Sequence, residues 1–440
     1  MSTATKRVLS GMRPTGRLHI GHFFGALQNW VKLQNDPDYE CFYFVADWHA
    51  LTSDYADTSA IAENSLQITI DYLASGLDPV KSTIFLQSLV PEHSELHLLL
   101  SMITPLGWLE RVPTYKEALE NIRDKDLHTY GFLGYPTLQT ADIVMYSDPG
   151  LPAAAGLPAK AGKALLVPVG EDQVSHVEFS RELVRRFNLF YGFAVSPEIF
   201  TPQNRKLSRN VLFKLLDLPS KDPILPENQE LSSEQKAVAT AYIRQRVLEM
   251  GLANFFEKLP PGLKLFFPSA SVLTEPDFLL TPTPRIPGLD GRKMSKSYNN
   301  AITLSESDAD IRAKTKVMVT DPARKRRTDP GNPDVCPVYD WHKLFSPPET
   351  LAWAAEGCRT AAIGCIECKA AMADNLIKWI EPVRARRLDY EQNPKRVVEI
   401  LHHGSAQAKV EAKKTMECVR SAVFHWSEKE KQLGFRAPQD

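Results

Sequence analysis

Two histidines stand three positions apart in the tetrad His19-Ile-Gly-His22, which follows a Gly/Pro-rich turn and precedes a helical pattern. Imidazole N–H donors at a helix N-terminus lie beside exposed backbone amides and the positive end of the helix dipole, and such a place favours phosphate oxygens. Gly21 lets a flat base or a phosphate approach the backbone closely. The tetrad therefore predicts a phosphate site, and two incidental surface histidines are the alternative.

A second segment, Lys293-Met-Ser-Lys296-Ser297, follows the Gly-flanked stretch Gly288-Leu-Asp-Gly291. Lysines three positions apart on a mobile loop can close over a triphosphate and neutralise the charge that develops on departing pyrophosphate. A solvated basic loop is the alternative for this segment alone. The two segments together, in this order, favour phosphate chemistry.

The elements around these segments alternate between strand-like and helix-like patterns. Residues 6–10 read as a buried strand that ends in the turn at 11–16, and continuous apolar runs follow at 41–46, 83–86 and 165–169. The segments between them carry helical periodicity. This alternation predicts an α/β fold of the Rossmann type, with a parallel sheet, helices on both of its faces and ligands at the carboxyl ends of the strands.

The pattern changes twice along the chain. Residues 205–284 are Pro-rich with one clear helix near 234–256, and the region from about residue 305 onward is helical with few strand signals. We therefore predict a Rossmann catalytic domain from residues 1–204 and 285–304. Residues 205–284 are predicted to be an insertion or subdomain of unknown role, and residues 305–440 an all-α C-terminal domain.

Composition narrows the class of protein further. The 440 residues are 43% hydrophobic and 24% charged, as in globular proteins, and the net charge of −1 means that contact with a polyanion requires local basic clusters. Two such clusters are residues 324–327 and 384–387. No apolar run is long enough for a bilayer span and the N-terminus has no long apolar signal segment, so we expect a cytoplasmic location.

His-Ile-Gly-His followed far downstream by Lys-Met-Ser-Lys-Ser resembles the double signature of class I aminoacyl-tRNA synthetases, and the surrounding sequence is similar to the tryptophanyl branch. The matching segments are residues 10–27, 135–143, 167–173 and the second signature. The resemblance covers residues 7–200, resumes at Arg285 and fails over the predicted insertion. It implies a homodimeric ligase that activates tryptophan with ATP and Mg²⁺ and transfers it to tRNA(Trp).

The resemblance also implies roles for matching residues. The catalytic residues would be His19, His22, Lys293 and Lys296. ATP would contact Arg13, Pro14, Thr15, Gly21, His22, Gly170, Glu171, Asp172, Ile286, Lys293, Met294, Ser295, Lys296 and Ser297. The amino acid would contact Tyr135, Gln139, Asp142 and Gln173. The helical domain would read the anticodon.

Asp142 is expected to accept the indole N–H of tryptophan. A carboxylate is an acceptor only, so a substrate that lacks this N–H leaves it unpaired in an apolar pocket and is rejected. A helix cap or a buried ion pair is the alternative role for this residue.

Some features depart from the tryptophanyl pattern. Many bacterial members have Thr and Asn at the two histidine positions and Met in place of Gln139, and the Gln-x-x-Asp pattern is shared with tyrosyl enzymes. Tyrosine–tRNA ligase is therefore an alternative, although the runs at 10–16 and 170–173 favour tryptophan. A non-catalytic synthetase-like paralogue is another alternative, but both signatures are intact. A small-molecule nucleotidyltransferase would not explain the helical C-terminal domain.

Four of the six cysteines form a spaced group in the helical domain, C-x21-C-x6-C-x2-C, comprising Cys336, Cys358, Cys365 and Cys368. A C-x-x-C pair directs two thiolates at one centre, and two further cysteines complete a four-sulfur shell. A subset of bacterial tryptophanyl synthetases carries a [4Fe-4S] cluster on nearly this spacing, and the resemblance implies such a cluster here. A Zn²⁺ site and four free thiols in a helical core are the alternatives.

Overall fold

A computed structural model describes residues 6–121, 126–148, 150–151, 160–215, 231–280 and 286–435 of the chain. Arg285, the residues 216–230 and 281–284 of the predicted insertion, and the side chains of Asp172 and Ser297 lie outside this description.

The strands are β1 (Lys6–Met12), β2 (Tyr39–Val45), β3 (Ser82–Leu86), β4 (Gly150–Leu151), β5 (Lys160–Ala161), β6 (Ala164–Val169) and β7 (Pro276–Leu280). In the described part of the chain, five of them form a parallel sheet in the order β3-β2-β1-β6-β7, and β4 and β5 form a separate antiparallel ribbon. The predicted α/β fold with a parallel sheet is confirmed.

The sheet opens at the point where its strand order reverses. β1 pairs with β2 along its whole length, whereas it pairs with β6 only over Lys6–Val8. The carboxyl ends of β1 and β6 are therefore unpaired with each other and border a crevice. Ligands of open α/β sheets bind at such a switch point.

The helices of the first half surround this sheet. They are α1 (Ile20–His22), α2 (Gln28–Gln34), α3 (Asp47–Asp54), α4 (Ile61–Ala74), α5 (Glu92–Ser101), α6 (Leu106–Leu109), α7 (Pro113–Asn121), α8 (Tyr130–Leu133), α9 (Tyr135–Val144) and α10 (Val174–Tyr191). A π-helical turn, Phe23–Leu27, joins α1 to α2. Short 3₁₀ turns lie at Gln87–Leu89, Glu171–Gln173, Pro197–Phe200, Lys296–Tyr298 and Pro333–Val335.

The helices of the second half are α11 (Pro202–Leu215), α12 (Ser233–Met250), α13 (Leu252–Lys258), α14 (Pro261–Lys264), α15 (Asp308–Lys316), α16 (Pro337–Phe345), α17 (Pro348–Arg359), α18 (Cys365–Gln392), α19 (Pro394–Phe424) and α20 (Trp426–Gln432). Among the described helices, none combines the length and the apolar character that a membrane span needs.

Alternating strand residues divide the interior into two cores. Val8 and Tyr43 belong to the core on the side of α2 and α4, whereas Leu9 and Phe42 belong to the core on the side of α5, α9 and α10. This is the two-residue period of a strand that is buried on both faces.

The predicted insertion differs from the structure at its C-terminal boundary. Helices α11 to α14 share a core of their own, which includes Leu212, Ile243 and Phe255. β7, however, lies within residues 205–284 and forms the edge of the main sheet beside β6. The strand begins with Pro276, and a proline is tolerated at the start of an edge strand. The sequence did not predict β7 as a strand because its short apolar run lies within a Pro-rich stretch.

The predicted C-terminal domain is helical, but α19 packs against the sheet. A Cβ atom on Gly404 would lie 1.9 Å from the carbonyl oxygen of Ile84 in β3. The Ser405 hydroxyl oxygen accepts a hydrogen bond from the Leu86 N–H at 3.2 Å. Further along α19, Ala408 and Met416 join the core on the α5 side of the sheet. This helix is therefore shared between the two predicted domains.

Candidate active site

A cavity of about 630 Å³ occupies the crevice at the carboxyl ends of β1 and β6. The predicted site residues that line it are Arg13, Thr15, His22, Tyr135, Gln139, Asp142, Gly170 and Gln173. Of the remaining predicted residues, Ile286 is buried in the adjoining core and Glu171 is exposed at the 3₁₀ turn after β6. The structure therefore brings together residues that are far apart in sequence.

The first signature forms the entry to α1. The His19 and His22 rings lie against each other with centroids 3.7 Å apart and planes tilted by 32°, and the His19 backbone N–H donates to Nδ1 of His22 at 3.2 Å. A Cβ atom on Gly21 would lie 2.9 Å from the His19 ring, so the glycine makes room for that ring. Nδ1 of His19 is buried and has no hydrogen-bond partner among the described residues.

Both histidines are neutral at physiological pH. Burial, and then the charge of Lys296, lower the pKa of His19 to about 4. Burial, followed by His19 and Lys296, lowers the pKa of His22 well below its ordinary value. A neutral imidazole still carries one N–H donor. The pair therefore offers phosphate oxygens hydrogen bonds rather than positive charge.

The second signature is held by a buried asparagine that the sequence analysis did not single out. Asn300 accepts the Ser295 N–H at 2.7 Å and donates to the Lys293 carbonyl oxygen at 3.1 Å. A Cβ atom on Gly288 would lie 2.3 Å from Nδ2 of Asn300, so this glycine is required for the close approach. Gly291 has φ of +80°, a conformation that glycine adopts without strain.

The two signatures touch each other. Nζ of Lys296 donates to the carbonyl oxygens of Thr15 at 3.1 Å and Gly16 at 2.8 Å. Met294 is buried, and its sulfur lies 3.5 Å from the position of a Cβ atom on Gly21. Lys293 is exposed. The arrangement brings Lys296 to the turn before the first signature, next to Thr15, which lines the cavity as His22 does.

Asp142 lies on the floor of the cavity with its carboxylate fully buried. Oδ1 accepts hydrogen bonds from Gln87 and His93 at 2.7 Å each, and Oδ2 lies 2.8 Å from Nε2 of His49 and 2.9 Å from the Gln87 amide. Burial alone would raise the pKa of Asp142, but the hydrogen bonds of the two histidines lower it to about 2. The group is an ionised acceptor.

Tyr135 lies on the cavity wall at the start of α9. Its hydroxyl group hydrogen-bonds the hydroxyl of Thr114, which in turn lies 2.9 Å from Nε2 of His176. Burial, partly offset by this bond, raises the pKa of Tyr135. The phenol is therefore a neutral hydrogen-bonding group beside Gln173.

The four spaced cysteines gather around the starts of α16 and α18, away from this cavity. Burial and the charges of the other three thiols raise the pKa of Cys368 to about 12. Nε2 of His342 lies 3.3 Å from the Cys368 sulfur. Within the described part of the chain, no three His, Cys, Asp or Glu side chains are close enough to hold a single metal ion.

Comparisons with known proteins agree with the signatures. The family model described as tRNA synthetases class I (W and Y) matches residues 1–216 and 247–381. A tryptophan–tRNA ligase of Ralstonia nicotianae is 45% identical over 420 residues, covering 95% of this chain and 98% of the relative. One of Thermotoga maritima is 40% identical over 418 residues, with the same coverage.

The chain belongs to the class I tRNA synthetase family of tryptophanyl and tyrosyl enzymes. The fold agrees. The crystal structure of tryptophanyl-tRNA synthetase from Campylobacter jejuni complexed with ADP and tryptophane superposes with a TM-score of 0.66 at 24% identity, covering 98% of this chain and 100% of that chain. The predicted family is confirmed.

The W and Y synthetase model leaves only residues 217–246 unmatched inside its span. This gap is shorter than the predicted insertion at 205–284, and the Ralstonia relative aligns across almost the whole chain. The segment around α12 is therefore the part that departs from the general family pattern.

Several residues of this synthetase's site were missed from the sequence. His49, Gln87 and His93 surround Asp142, and they come from three different segments of the chain. The signals were present, because Gln87 follows β3 directly and His49 lies just beyond β2, at the carboxyl ends of two parallel strands. Only the fold shows that they meet at one carboxylate.

Proposed function

We propose that the chain is a tryptophan–tRNA ligase, which activates L-tryptophan with ATP and transfers it to tRNA(Trp) for protein synthesis. The observation that carries the proposal is the contact of Lys296 with the carbonyl oxygens of Thr15 and Gly16, beside the Asp142 cavity that Thr15 lines. It joins the two signatures at a pocket large enough for an amino acid and part of a nucleotide. The relatives that align over nearly the whole chain are named as tryptophan–tRNA ligases.

In the first step, the tryptophan carboxylate attacks the α-phosphate of ATP, and pyrophosphate leaves with Mg²⁺. No protein nucleophile is required, so the chain contributes position and charge. His19 and His22 donate hydrogen bonds to phosphate oxygens, and Lys293 and Lys296 stabilise the charge on the leaving group. In the second step, the acyl group of the resulting tryptophanyl-adenylate passes to the 2′-hydroxyl of the terminal tRNA ribose, and AMP leaves.

ATP and tryptophan would divide the cavity between them. ATP would contact Arg13, Thr15 and Gly170, and tryptophan would contact Tyr135 and Gln173. All five residues line the cavity. ATP would also contact the buried Pro14 and Ile286 and the exposed Glu171.

Asp142 is the residue on which the choice of tryptophan rests. Its carboxylate is ionised and already accepts hydrogen bonds from His49, His93 and Gln87. His49 is the histidine of the two that lines the cavity, and its side chain is more exposed than that of His93. We infer that the indole N–H takes the place of His49 at Oδ2.

The test of this function is pyrophosphate exchange with each of the twenty amino acids. Tryptophan should support exchange far better than tyrosine or phenylalanine. The Lys296→Ala variant serves as the control for exchange that depends on the site. Faster exchange with tyrosine would establish the tyrosyl alternative, and the absence of exchange in the wild type would favour the non-catalytic paralogue.

We propose that the helical region binds the tRNA anticodon arm through the first basic cluster. Lys325, Arg326 and Arg327 are exposed, whereas Arg324 is buried and donates to the carbonyl oxygen of Ile363 at 2.6 Å. Three exposed cations together can neutralise phosphates of a nucleic acid.

The arginines of the second basic cluster, residues 384–387, make contacts within the protein. Arg384 pairs with Asp308 at 2.5 Å, and Nε of Arg386 donates to the carbonyl oxygen of Ala74 at 2.7 Å. Arg387 is buried against Asp71. We therefore assign this cluster no RNA contact.

We propose that the four spaced cysteines hold a [4Fe-4S] cluster, with Zn²⁺ as the second candidate. The described side chains do not converge on a single metal ion as they stand, and the support for the proposal comes from two neighbouring features. A Cβ atom on Gly331 would lie 2.6 Å from the Cys358 sulfur, so the glycine leaves room beside the thiol. Two cations, Arg324 at 3.7 Å from Cys358 and Lys369 close to three thiols, can balance thiolate charge. The cluster would be structural and take no part in adenylate chemistry.

We propose a homodimer that forms through the surface of α5 and α6. Leu98, Met102 and Leu106 are exposed there in succession, Met102 by 71% and Leu106 by 64%. Contiguous apolar surface of this kind marks interfaces in proteins. Since tRNA charging supplies protein synthesis, we also propose the cytoplasmic location that the sequence predicts.

A further inference from the structure

Asp71 and Arg387 form an ion pair beneath the first signature, and both side chains are almost completely buried. Asp71 belongs to α4 and Arg387 to α18 of the helical region. Arg387 also contacts the side chain and the carbonyl oxygen of Gln67, and its Nη2 lies 3.1 Å from Glu391. The guanidinium therefore contacts Glu391 on its own helix, α18, and Asp71 and Gln67 on α4.

The second oxygen of Asp71 reaches the signature loop itself. Oδ2 accepts the backbone N–H of Leu18 at 2.6 Å, directly before His19. The backbone of the same stretch is held on its other side by two hydrogen bonds, from Ile20 N–H to Ile302 at 3.0 Å and from the Leu304 N–H to Leu18 at 2.9 Å. Asp71 thus adds a side-chain hydrogen bond to the two backbone hydrogen bonds that hold this loop.

The helical region contacts the loop at two further places. Glu391 of α18 lies 3.7 Å from Arg17, on the solvent side of the loop. Trp379, also in α18, stacks on Phe24 of the π-helical turn at 5.3 Å, and packs edge-on against Phe23. π-helical turns inside helices are frequent at functional sites. Helix α18 therefore contacts residues that flank the first signature on both sides.

Stability alone is a weak reason for such a pair. Taking two charges out of water is costly, and a well-packed apolar pair of similar volume is often at least as stable. A carboxylate that accepts a backbone N–H does fix the conformation of that backbone, because charge-assisted hydrogen bonds are strong and directional.

We propose that Asp71 and Arg387 are positioning residues for the activation step, through which α18 holds the His19–His22 loop in the geometry that binds ATP. The inference rests on the proposed function, since the reaction that it modulates is adenylate formation. It predicts that the ATP-dependent part of the reaction requires an intact contact between the helical region and α4, even though neither residue lines the cavity.

The test compares Asp71→Asn, Arg387→Met and the double variant Asp71→Asn/Arg387→Met in tryptophan-dependent pyrophosphate exchange. Each single variant should lower kcat/KM for ATP by about tenfold or more, as expected for misplacement of a binding loop. The dissociation constant for tryptophan, measured by equilibrium dialysis, should stay within about twofold. Because both residues act through one contact, the double variant should lose less than the product of the two single losses.

Glu411→Gln is the matched control. Glu411 of α19 pairs with the buried Arg7 at 2.6 Å, at the other end of β1 and far from the signature loop. This variant removes an ion pair between the same regions and should keep the ATP parameters of the wild type. Arg387→Lys, which preserves the charge, should recover part of the loss.

Four results would overturn the inference. They are ATP parameters within twofold of the wild type in a folded Asp71→Asn protein, equal losses for ATP and tryptophan, fully multiplicative losses in the double variant, or an equal ATP defect in Glu411→Gln. If Asp71→Asn does not fold, the double variant, which carries no buried charge at the pair, replaces it in the comparisons of the ATP and tryptophan parameters. Lack of exchange in the wild type would count against the proposed function instead.

Discussion

Lys296 donates a hydrogen bond to the carbonyl oxygen of Gly16 across 280 positions of sequence. This bond and a second one, to the carbonyl oxygen of Thr15, hold the second signature against the turn that precedes the first signature. Burial lowers the pKa of Lys296, while Asp71 raises it in part. The ammonium is therefore held by two backbone carbonyl groups of the turn beside the cavity, which a triphosphate would replace in the proposed reaction.

Removal of this ammonium should slow activation selectively. Lys296→Ala should reduce the single-turnover rate of adenylate formation by roughly 10²–10³, the loss expected for one preorganised donor. Tryptophan binding should barely change, because the lysine acts on the leaving group. Arg292→Ala, which removes a neighbouring exposed cation, is the control. A collapse of tryptophan affinity with a surviving single-turnover rate would show that the loop is structural.

Asp142→Ala should weaken discrimination for tryptophan by roughly 2–4 kcal/mol, the cost of an unpaired polar contact in a buried site. The measurement is the ratio of kcat/KM for tryptophan to that for phenylalanine. The variant should also melt at a lower temperature, because His93 and Gln87 lose their acceptor. Asp47→Asn, another buried carboxylate near the cavity, controls for general damage. An unchanged ratio in a folded Asp142→Ala protein would contradict the assignment.

The first signature should make the free energy of unfolding depend on pH. The pKa of His19 is about 4 in the folded protein and about 6.5 when unfolded, so the unfolded chain binds the proton first as pH falls. Stability from this residue is full above pH 6.5 and is lost as pH falls toward 4. Between pH 7 and pH 5 this loss should be roughly 1–2 kcal/mol.

Urea unfolding at the two pH values measures this effect. His19→Gln should show a correspondingly smaller loss than the wild type, and the exposed His403→Gln variant is the control. Identical losses in the wild type and His19→Gln would mean that the folded-state pKa of His19 is not depressed.

The cysteine group should bind iron and sulfide in protein purified without oxygen. We expect iron and acid-labile sulfide in equal amounts, with a brown colour, and their loss in Cys368→Ala. Cys418→Ala, which changes an exposed cysteine outside the group, should keep them. Zinc alone would indicate a zinc site, and metal-free protein with full activity and four titratable thiols at these positions would rule out both.

The dimer should depend on the apolar surface of α5 and α6. Met102→Lys should shift the protein toward monomer in analytical ultracentrifugation, because a charge would be buried without a partner. Val80→Lys alters an isolated valine that is 92% exposed and should leave the assembly unchanged. A monomeric wild-type protein, or a Met102→Lys dimer of undiminished affinity, would refute this interface.

The sequence was most informative where chemistry and local structure coincide. The parallel sheet and both signature loops follow from short-range patterns, because strand alternation, turn glycines and the histidine and lysine spacings are all local. The role of Asn300 could not be predicted, since its bonds to Ser295 and Lys293 depend on the path of the loop. The partners of Asp142 were missed for the same reason: three separate segments meet only after folding.

The domain boundaries were less predictable because they depend on packing at a distance. Gly404 lies in a helix whose periodicity indicates only that it is amphipathic, and nothing local shows that it meets Ile84. Likewise, the short run of β7 becomes a strand because β6 offers it an unpaired edge. Tertiary context decides such elements.

The contact of α19 with β3 also affects the folding of the chain during its synthesis. Leu86 and Ser405 are 319 residues apart, so at roughly 5–20 residues per second the ribosome needs on the order of tens of seconds to make the covering helix after the strand. Throughout that interval the nascent chain presents an open strand edge, which is a template for pairing with other chains. The β3 edge is therefore covered only after α19 has been synthesised, and protection by chaperones is most useful before that point.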